Sequence, residues 1–513
     1  MSGIAVRNLT LRLGERTLID SVSLAVAPGE VLALVGESGA GKSLLLRSLL
    51  GMAPTDAAVS AQELAVDGVD LRAANERRWR TVRGARAGLV MQDALGALDP
   101  VRRVGAEVAE PLVVHTTLTR ADRAGRVQAL LTDVGMPEPA VRARQRPHEL
   151  SGGLRQRAVI ATALAADPPV LLMDEPTTAL DATVQRRVLA LVRSLADGGR
   201  AVLVVSHDLA AVSLIADRIA VMRDGRILES GPVARMLTEP EHPYTRELLD
   251  AARRTAPTSR AVTAAVPVLS AAAVTRRFGD RIAVDAVSVD VRPGSMLGVV
   301  GESGSGKTTL ARLLLGADTV DAGEVRLDGE LWNPLPERRR RARRRGVQLV
   351  SQNPRAAFNP TWTLRRSLAE ALASVGVPRG ERAGRIAELA ARVELDAAVL
   401  DRRPRAVSGG QLQRAAIARA LATGPRVLVL DEPLSALDVS VGARILTLLE
   451  RLRDEGLAMV LISHDLRVVG QLADEVVVMR GGAVIERGPT AEVFAAPQHA
   501  FTRELLAAAA SRT

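Results

Sequence analysis

Two stretches of this chain, GESGAGKS at residues 36–43 and GESGSGKT at 301–308, fit the pattern G-x-x-x-x-G-K-[ST]. Such a loop needs a strand running into it and a helix leaving it. Its glycines then turn the backbone so that N–H groups and the positive helix end face a phosphate. The apolar run VLALVG (31–36) leads into the first loop, and SLLLRSLLG (43–51), closed by glycine, follows it. Composition sharpens the assignment. Among 68 lysines and arginines, Lys42 and Lys307 are the only lysines. A compact ammonium fits a tight phosphate cradle, whereas a planar guanidinium is built for fork-like pairing. The candidate phosphate ligands are Gly36, Ser38, Gly39, Gly41 and Lys42, then Gly301, Ser303, Gly304, Gly306 and Lys307. Ser43 and Thr308 are placed to put a hydroxyl on magnesium.

The whole chain is written twice. Lys42 pairs with Lys307, Gln92 with Gln352, Ser151 with Ser408, Asp174 with Asp431, Asp181 with Asp438, His207 with His464, and His242 with His499. PVLLMDEP (169–176) and AVLVVSHD (201–208) read as buried strands that deliver polar residues at their carboxyl ends, where open parallel sheets bind ligands. Asp174 and Asp431 suit the magnesium role in phosphoryl transfer, and Glu175 and Glu432 suit orienting the attacking water. His207 and His464, in identical SHDL contexts, are candidates for a γ-phosphate contact. Asp224-Gly225 and Gly481-Gly482 mark two-residue hairpins. The expected class is α/β, with a first domain over 1–252, a linker over 253–267 (RRTAPTSRAVTAAVP) and a second domain over 268–513.

At LSGGLRQR (150–157) and VSGGQLQR (407–414) the chain resembles ATP-binding-cassette proteins, nearly end to end. An SGG turn before a helix is itself an anion site. The resemblance implies two P-loop nucleotide-binding domains, each with an α/β core, an antiparallel β subdomain and a helical subdomain. It also implies that the SGG helix of one cassette closes over the ATP held by the other. One site would join Lys42, Gln92, Asp174, Glu175 and His207 to Ser408, Gly409 and Gly410. The other would join Lys307, Gln352, Asp431, Glu432 and His464 to Ser151, Gly152 and Gly153. Mg2+ carried with ATP would meet Ser43, Gln92, Asp174, Thr308, Gln352 and Asp431. Both sites keep the glutamate and histidine, so both are expected to hydrolyse ATP. Phe278 stands where the family stacks an aromatic on adenine; Leu13 takes that place in the first half, and Val407 replaces the usual leucine of the second signature.

QDALGALDPVRRVG (92–105), QNPRAAFNPTWTL (352–364), EHPYTREL (241–248) and QHAFTREL (498–505) are similar to segments of oligopeptide, dipeptide and nickel importers. That likeness implies an ATPase subunit on the cytoplasmic face of the membrane. Its partners would be two transmembrane permeases, contacted through helices around 100–150 and 360–405, and indirectly an external solute-binding protein. Two rivals are a fused monosaccharide-importer ATPase and a soluble two-cassette factor of translation or DNA repair. The TREL tails and the intact second site weigh against the first. A short linker and the absence of cysteine weigh against the second. Cysteine-ligated metals and disulfides are excluded outright. The net charge of +10 comes from an arginine habit with only 2% aromatic residues, so no nucleic-acid partner is expected. The run ERRRRARRR (337–345) is read as a solvated helical face. No apolar run is long enough to span a bilayer.

Overall fold

The apolar strands read from the sequence form the centre of two units, the first built on Met1–Arg253 and the second on the residues that follow. The computed structural model describes residues 3–37, 39–92, 94–177, 182–253, 265–302, 304–434 and 439–510. Ser38, Ser303, Asp181, Asp438 and most of the expected linker lie outside the described residues.

The first unit carries a six-stranded sheet in the order Arg226–Pro232, Arg218–Arg223, Val31–Val35, Ala201–Ser206, Val170–Asp174, Ala87–Val90. Only its first pair is antiparallel. That pair is the expected hairpin: Asp224 and Gly225 have φ of 47° and 79°, the left-handed values a two-residue turn between twisted strands requires. The second unit repeats the order with Ala483–Pro489, Glu475–Arg480, Met296–Gly301, Ala458–Ile462, Val427–Asp431 and Val347–Val350.

Alternation along the strands decides what each face touches. Val31, Ala33 and Val35 join Leu171, Met173, Val202 and Val204 in one core with the helical layer. Leu32 and Leu34 join Leu172, Leu203 and Val205 in another, beside residues of Ile4–Leu13 and Arg16–Val26. Those two strands belong to the antiparallel sheet. Both faces are covered, so every residue of Val31–Val35 is buried and the strand reads as a continuous apolar run. The second unit shows the same division, with Met296 and Val300 on one side and Leu297 and Val299 on the other. Helices Val104–His115 and Arg120–Asp133, and in the second unit Leu364–Ser374 and Arg382–Arg392, form the helical layer. Among the described residues no helix is long and apolar enough to cross a membrane.

The arginine run departs from the solvated face expected of it. It is a short helix, Glu337–Arg340, continued as a 3-10 turn, Arg341–Gly346. Arg340 is buried, donates to the Gly316 carbonyl and lies over the Trp332 ring. Arg343 donates to the Leu327 and Leu331 carbonyls from beside the same ring, and Arg344 pairs with Glu337. An indole and backbone carbonyls turn part of the run inward.

A carboxylate staples the entry of each central strand. Asp217 Oδ2 accepts Val31 N–H at 2.8 Å and Asp474 Oδ2 accepts Met296 N–H at 2.8 Å. Asp474 is buried with Arg453, 3.6 Å away, whereas Asp217 is half-exposed beside Arg193. Removing one member of a buried pair costs about 3 kcal/mol or more, against about 1 kcal/mol at the surface. Asp474→Ala is therefore expected to lower the urea unfolding midpoint of the full chain clearly more than Asp217→Ala. Equal shifts would contradict the difference in burial.

Candidate functional site

Four loops meet at the carboxyl edge of each parallel sheet, because each follows one of its strands. In the first unit Val31–Val35 runs into the glycine loop and helix Lys42–Ser48 leaves it. Gly36 and Gly41 have φ of 153° and 100°, which favour glycine. A Cβ at Gly36 would lie 2.0 Å from the Met222 carbonyl oxygen, so only hydrogen fits there. The buried Lys42 donates from Nζ to the carbonyl oxygens of Gly36 (2.7 Å) and Glu37 (2.8 Å). Lys307 does the same with Gly301 (2.8 Å) and Glu302 (2.7 Å).

Val170–Asp174 delivers the two carboxylates. Asp174 Oδ1 accepts from the Ser43 hydroxyl at 2.8 Å. Glu175 follows in a left-handed conformation, φ 49°, with its N–H donated to the Val205 carbonyl. Glu432 repeats this with φ 49° and Ile462. Left-handed backbone is rare outside glycine and gathers at functional sites. Each glutamate is then gripped twice. Glu175 Oε2 accepts from Gln92 Nε2 at 2.9 Å and lies 3.3 Å from His207 Nδ1. Glu432 accepts from Gln352 at 2.8 Å and lies 3.1 Å from His464 Nδ1.

Burial sets the proton affinities. It pushes Asp174 above the usual carboxylate range, the Ser43 hydrogen bond pulling the other way. Burial with the adjacent Glu432 charge pushes Asp431 up to about 6, with Lys307 opposing. Burial would also raise Glu432, but the His464 hydrogen bond and charge outweigh it and hold Glu432 low. Burial likewise disfavours charge on His207 and His464, and their glutamates overcome it and raise both. Adjacent carboxylates in the second unit are thus pushed apart, one toward the proton and one away from it.

The signature turns stay outside this network among the described residues. Ser151 caps its own helix, Gly152–Leu164, by accepting Leu154 N–H at 3.4 Å, and Gly153 lies in that helix's first turn. Ser408 and Gln411 form a reciprocal cap on Gly409–Leu421. A Cβ at Gly410 would meet Val441 at 2.2 Å. Leu13 and Phe278 both end a strand at equivalent register, opposite Arg16 and Arg281, and both are substantially exposed. Arg276 lies over the Phe278 ring at 4.9 Å.

A hydroxyl beside a carboxylate offers the hard oxygen donors that Mg2+ takes together with phosphate and water. The Ser43–Asp174 pair at the start of the loop helix fits that ion. Thr308 follows Lys307 in helix Lys307–Leu314 as Ser43 follows Lys42. One contact escaped the sequence reading. Tyr244, in the tail EHPYTREL, accepts Glu37 N–H on its hydroxyl at 3.2 Å. Only its tyrosine-for-phenylalanine difference from the second tail could have signalled it.

The sequence pattern described as "ABC transporter" matches residues 19–178 and 284–435. That described as "Oligopeptide/dipeptide transporter, C-terminal region" matches residues 228–281. The chain is 41% identical over 527 residues to the "Peptidoglycan transport ATP-binding protein YejF" of Agrobacterium fabrum (strain C58), covering 99% of this chain and 96% of the relative. It is 37% identical over 555 residues to the "Glutathione import ATP-binding protein GsiA" of Escherichia coli (strain K12), covering 98% and 89%. Among solved structures, an archaeal ribosome recycling factor, aABCE1, in complex with the stalk protein aP1 is 21% identical with TM-score 0.63, covering 92% of this chain and 88% of that one. At that identity the likeness is one of fold.

The helix-capping glycines differ in what surrounds them. A Cβ at Gly306 would lie 2.2 Å from the Ala283 carbonyl oxygen, whereas one at Gly41 meets the Met222 methyl at 3.1 Å and the Leu18 carbonyl oxygen at 3.2 Å. Either alanine carries the left-handed penalty of about 1–2 kcal/mol. Gly306→Ala adds a backbone clash, so its melting temperature should fall further than that of Gly41→Ala. The reverse order would show that the backbone at Ala283 yields freely.

Proposed function

The chain belongs to the ATP-binding-cassette transporter family, whose members bind and hydrolyse ATP to drive transport, and from that premise we propose that it energises the import of di- or oligopeptides. The observation that carries the ATP-hydrolysing part of this reading is the presence of a full Gln–Glu–His network beside a lysine-bearing P-loop in both units. The C-terminal-region match over residues 228–281 supports the solute class and favours it over the sugar-importer and soluble-factor alternatives. Peptidoglycan and glutathione, named for the relatives, both carry peptide bonds. Nickel complexes are the second solutes to test.

The P-loop backbone, Lys42 and Lys307 hold the phosphates of ATP. Ser43 with Asp174 and Gln92, and Thr308 with Asp431 and Gln352, would hold Mg2+, which would supply charge compensation to the phosphates. Glu175 and Glu432 orient the attacking water and take its proton. The glutamine amide and histidine grip hold each carboxylate in place, and His207 and His464 reach the γ-phosphate. Ser151–Gly153 and Ser408–Gly410 open helices whose N-termini suit a phosphate group. Phe278 covers one adenine and Leu13 the other, at a cost of about 1 kcal/mol for the lost aromatic. Members of the family work with membrane permease components. Here the partners are two permeases docked on the helical layers and, through them, an external solute-binding protein. The chain sits peripherally on the cytoplasmic face, and the cassettes run 1–252 and 268–513.

Glu175→Gln with Glu432→Gln leaves the cradle and the magnesium ligands in place. Phosphate release should fall by about 100-fold or more while ATP binding stays near wild type. Turnover at the wild-type rate would remove both glutamates from the reaction. At the level of the cell, deleting the gene should abolish uptake of a labelled di- or oligopeptide. The wild-type gene should restore it, and the Lys42→Ala, Lys307→Ala form should not. Unchanged uptake of peptides and of nickel would overturn the solute assignment.

A further inference from the structure

The two tails are built on one plan. In the first, Glu229 accepts the backbone N–H groups of Glu241 (2.8 Å) and His242 (3.1 Å), and His242 Nδ1 accepts Tyr244 N–H at 3.1 Å. In the second, Glu486 accepts those of Gln498 (2.6 Å) and His499 (3.1 Å), and His499 Nδ1 accepts Phe501 N–H at 3.1 Å. Arg223 lies 4.6 Å over the Tyr244 ring and Arg480 lies 4.5 Å over the Phe501 ring. Both rings are buried. The second tail therefore docks through the same contacts with a phenyl ring, and the hydroxyl is not needed to hold the tail down.

What the hydroxyl adds is its contact with the P-loop. Its oxygen accepts Glu37 N–H, and the carbonyl on the other side of that same peptide bond, Gly36 C=O, accepts Lys42 Nζ at 2.7 Å. One planar peptide unit is thus held at both ends. A carbonyl polarised by an ammonium makes its own N–H a better donor, so the two hydrogen bonds strengthen each other. Phe501 has no oxygen to offer Glu302. We infer that Tyr244 is a positioning residue for the first nucleotide site. It fixes the Gly36–Glu37 peptide plane and so preorganises the loop that receives the phosphates, a support the second site lacks. The inference rests on the reading of the P-loops as nucleotide cradles. It assigns the tail of the first cassette a part in nucleotide affinity.

The test uses the full chain with Lys307→Ala to silence the second site, titrated with a fluorescent magnesium–ADP analogue. Tyr244→Phe keeps the ring, its burial and the Arg223 contact. It should weaken binding about three- to tenfold and speed amide hydrogen exchange in the peptide spanning residues 36–42. The melting temperature without nucleotide should not change. In a Lys42→Ala background, Phe501→Tyr should tighten the second site. Unchanged affinity and exchange in Tyr244→Phe would overturn the inference. So would a loss of affinity that tracks a lowered melting temperature, since Tyr244 would then be only a packing residue. If the Lys42→Ala, Lys307→Ala chain binds the analogue like wild type, the P-loop reading itself fails, which is a distinct result.

Discussion

Parallel strands can pair only when each connection crosses back over the sheet, so their carboxyl ends all finish on one edge. In the first unit this constraint brings together the glycine loop after Val35, Gln92 after Val90, the carboxylates at the end of Val170–Asp174, and His207 after Ser206. None of these segments is near another in sequence. The Glu175 and Glu432 networks follow from that edge, and the left-handed turn at each glutamate swings the carboxylate between the glutamine and the histidine.

The edge also explains the electrostatics. Both faces of the sheet are covered, so the strand ends lie in surroundings where charge is costly, and two carboxylates are placed there side by side. Asp431 answers by moving toward its proton, while Glu432 keeps its charge by leaning on His464. Such separation lets neighbouring acids of one type take different parts. The two units share this arrangement and differ at its margins. Leu13 stands for Phe278, Tyr244 for Phe501, and Asp217 is half-exposed where Asp474 is buried. These margins are where the two sites can diverge without altering the common core.

The P-loops, the strands that feed them, the DE and SHD ends and the DG and GG hairpins were all legible in the chain. Each is specified by neighbours within about one strand and one turn, through alternation, glycine φ and helix start signals. The pairing of glutamine with glutamate was not legible as a contact, because Gln92 and Glu175 stand 83 positions apart and the chain between them carries no local trace of it. The arginine run was half legible. Its charge predicts solvation, but Trp332 and the carbonyl of Gly316 draw Arg340 inside.

The sequence alone determined the fold class, the doubling of the chain and the placing of glycine loops and carboxylates at strand ends, since these depend on residue type at fixed local spacing. Tertiary structure decided which of them touch. Tyr244 meets Glu37 across 207 residues. Asp174 meets Ser43 across 131. Such contacts depend on which strand lies beside which and on how a tail docks under a loop, and both are settled by packing the whole core rather than by any window of the chain.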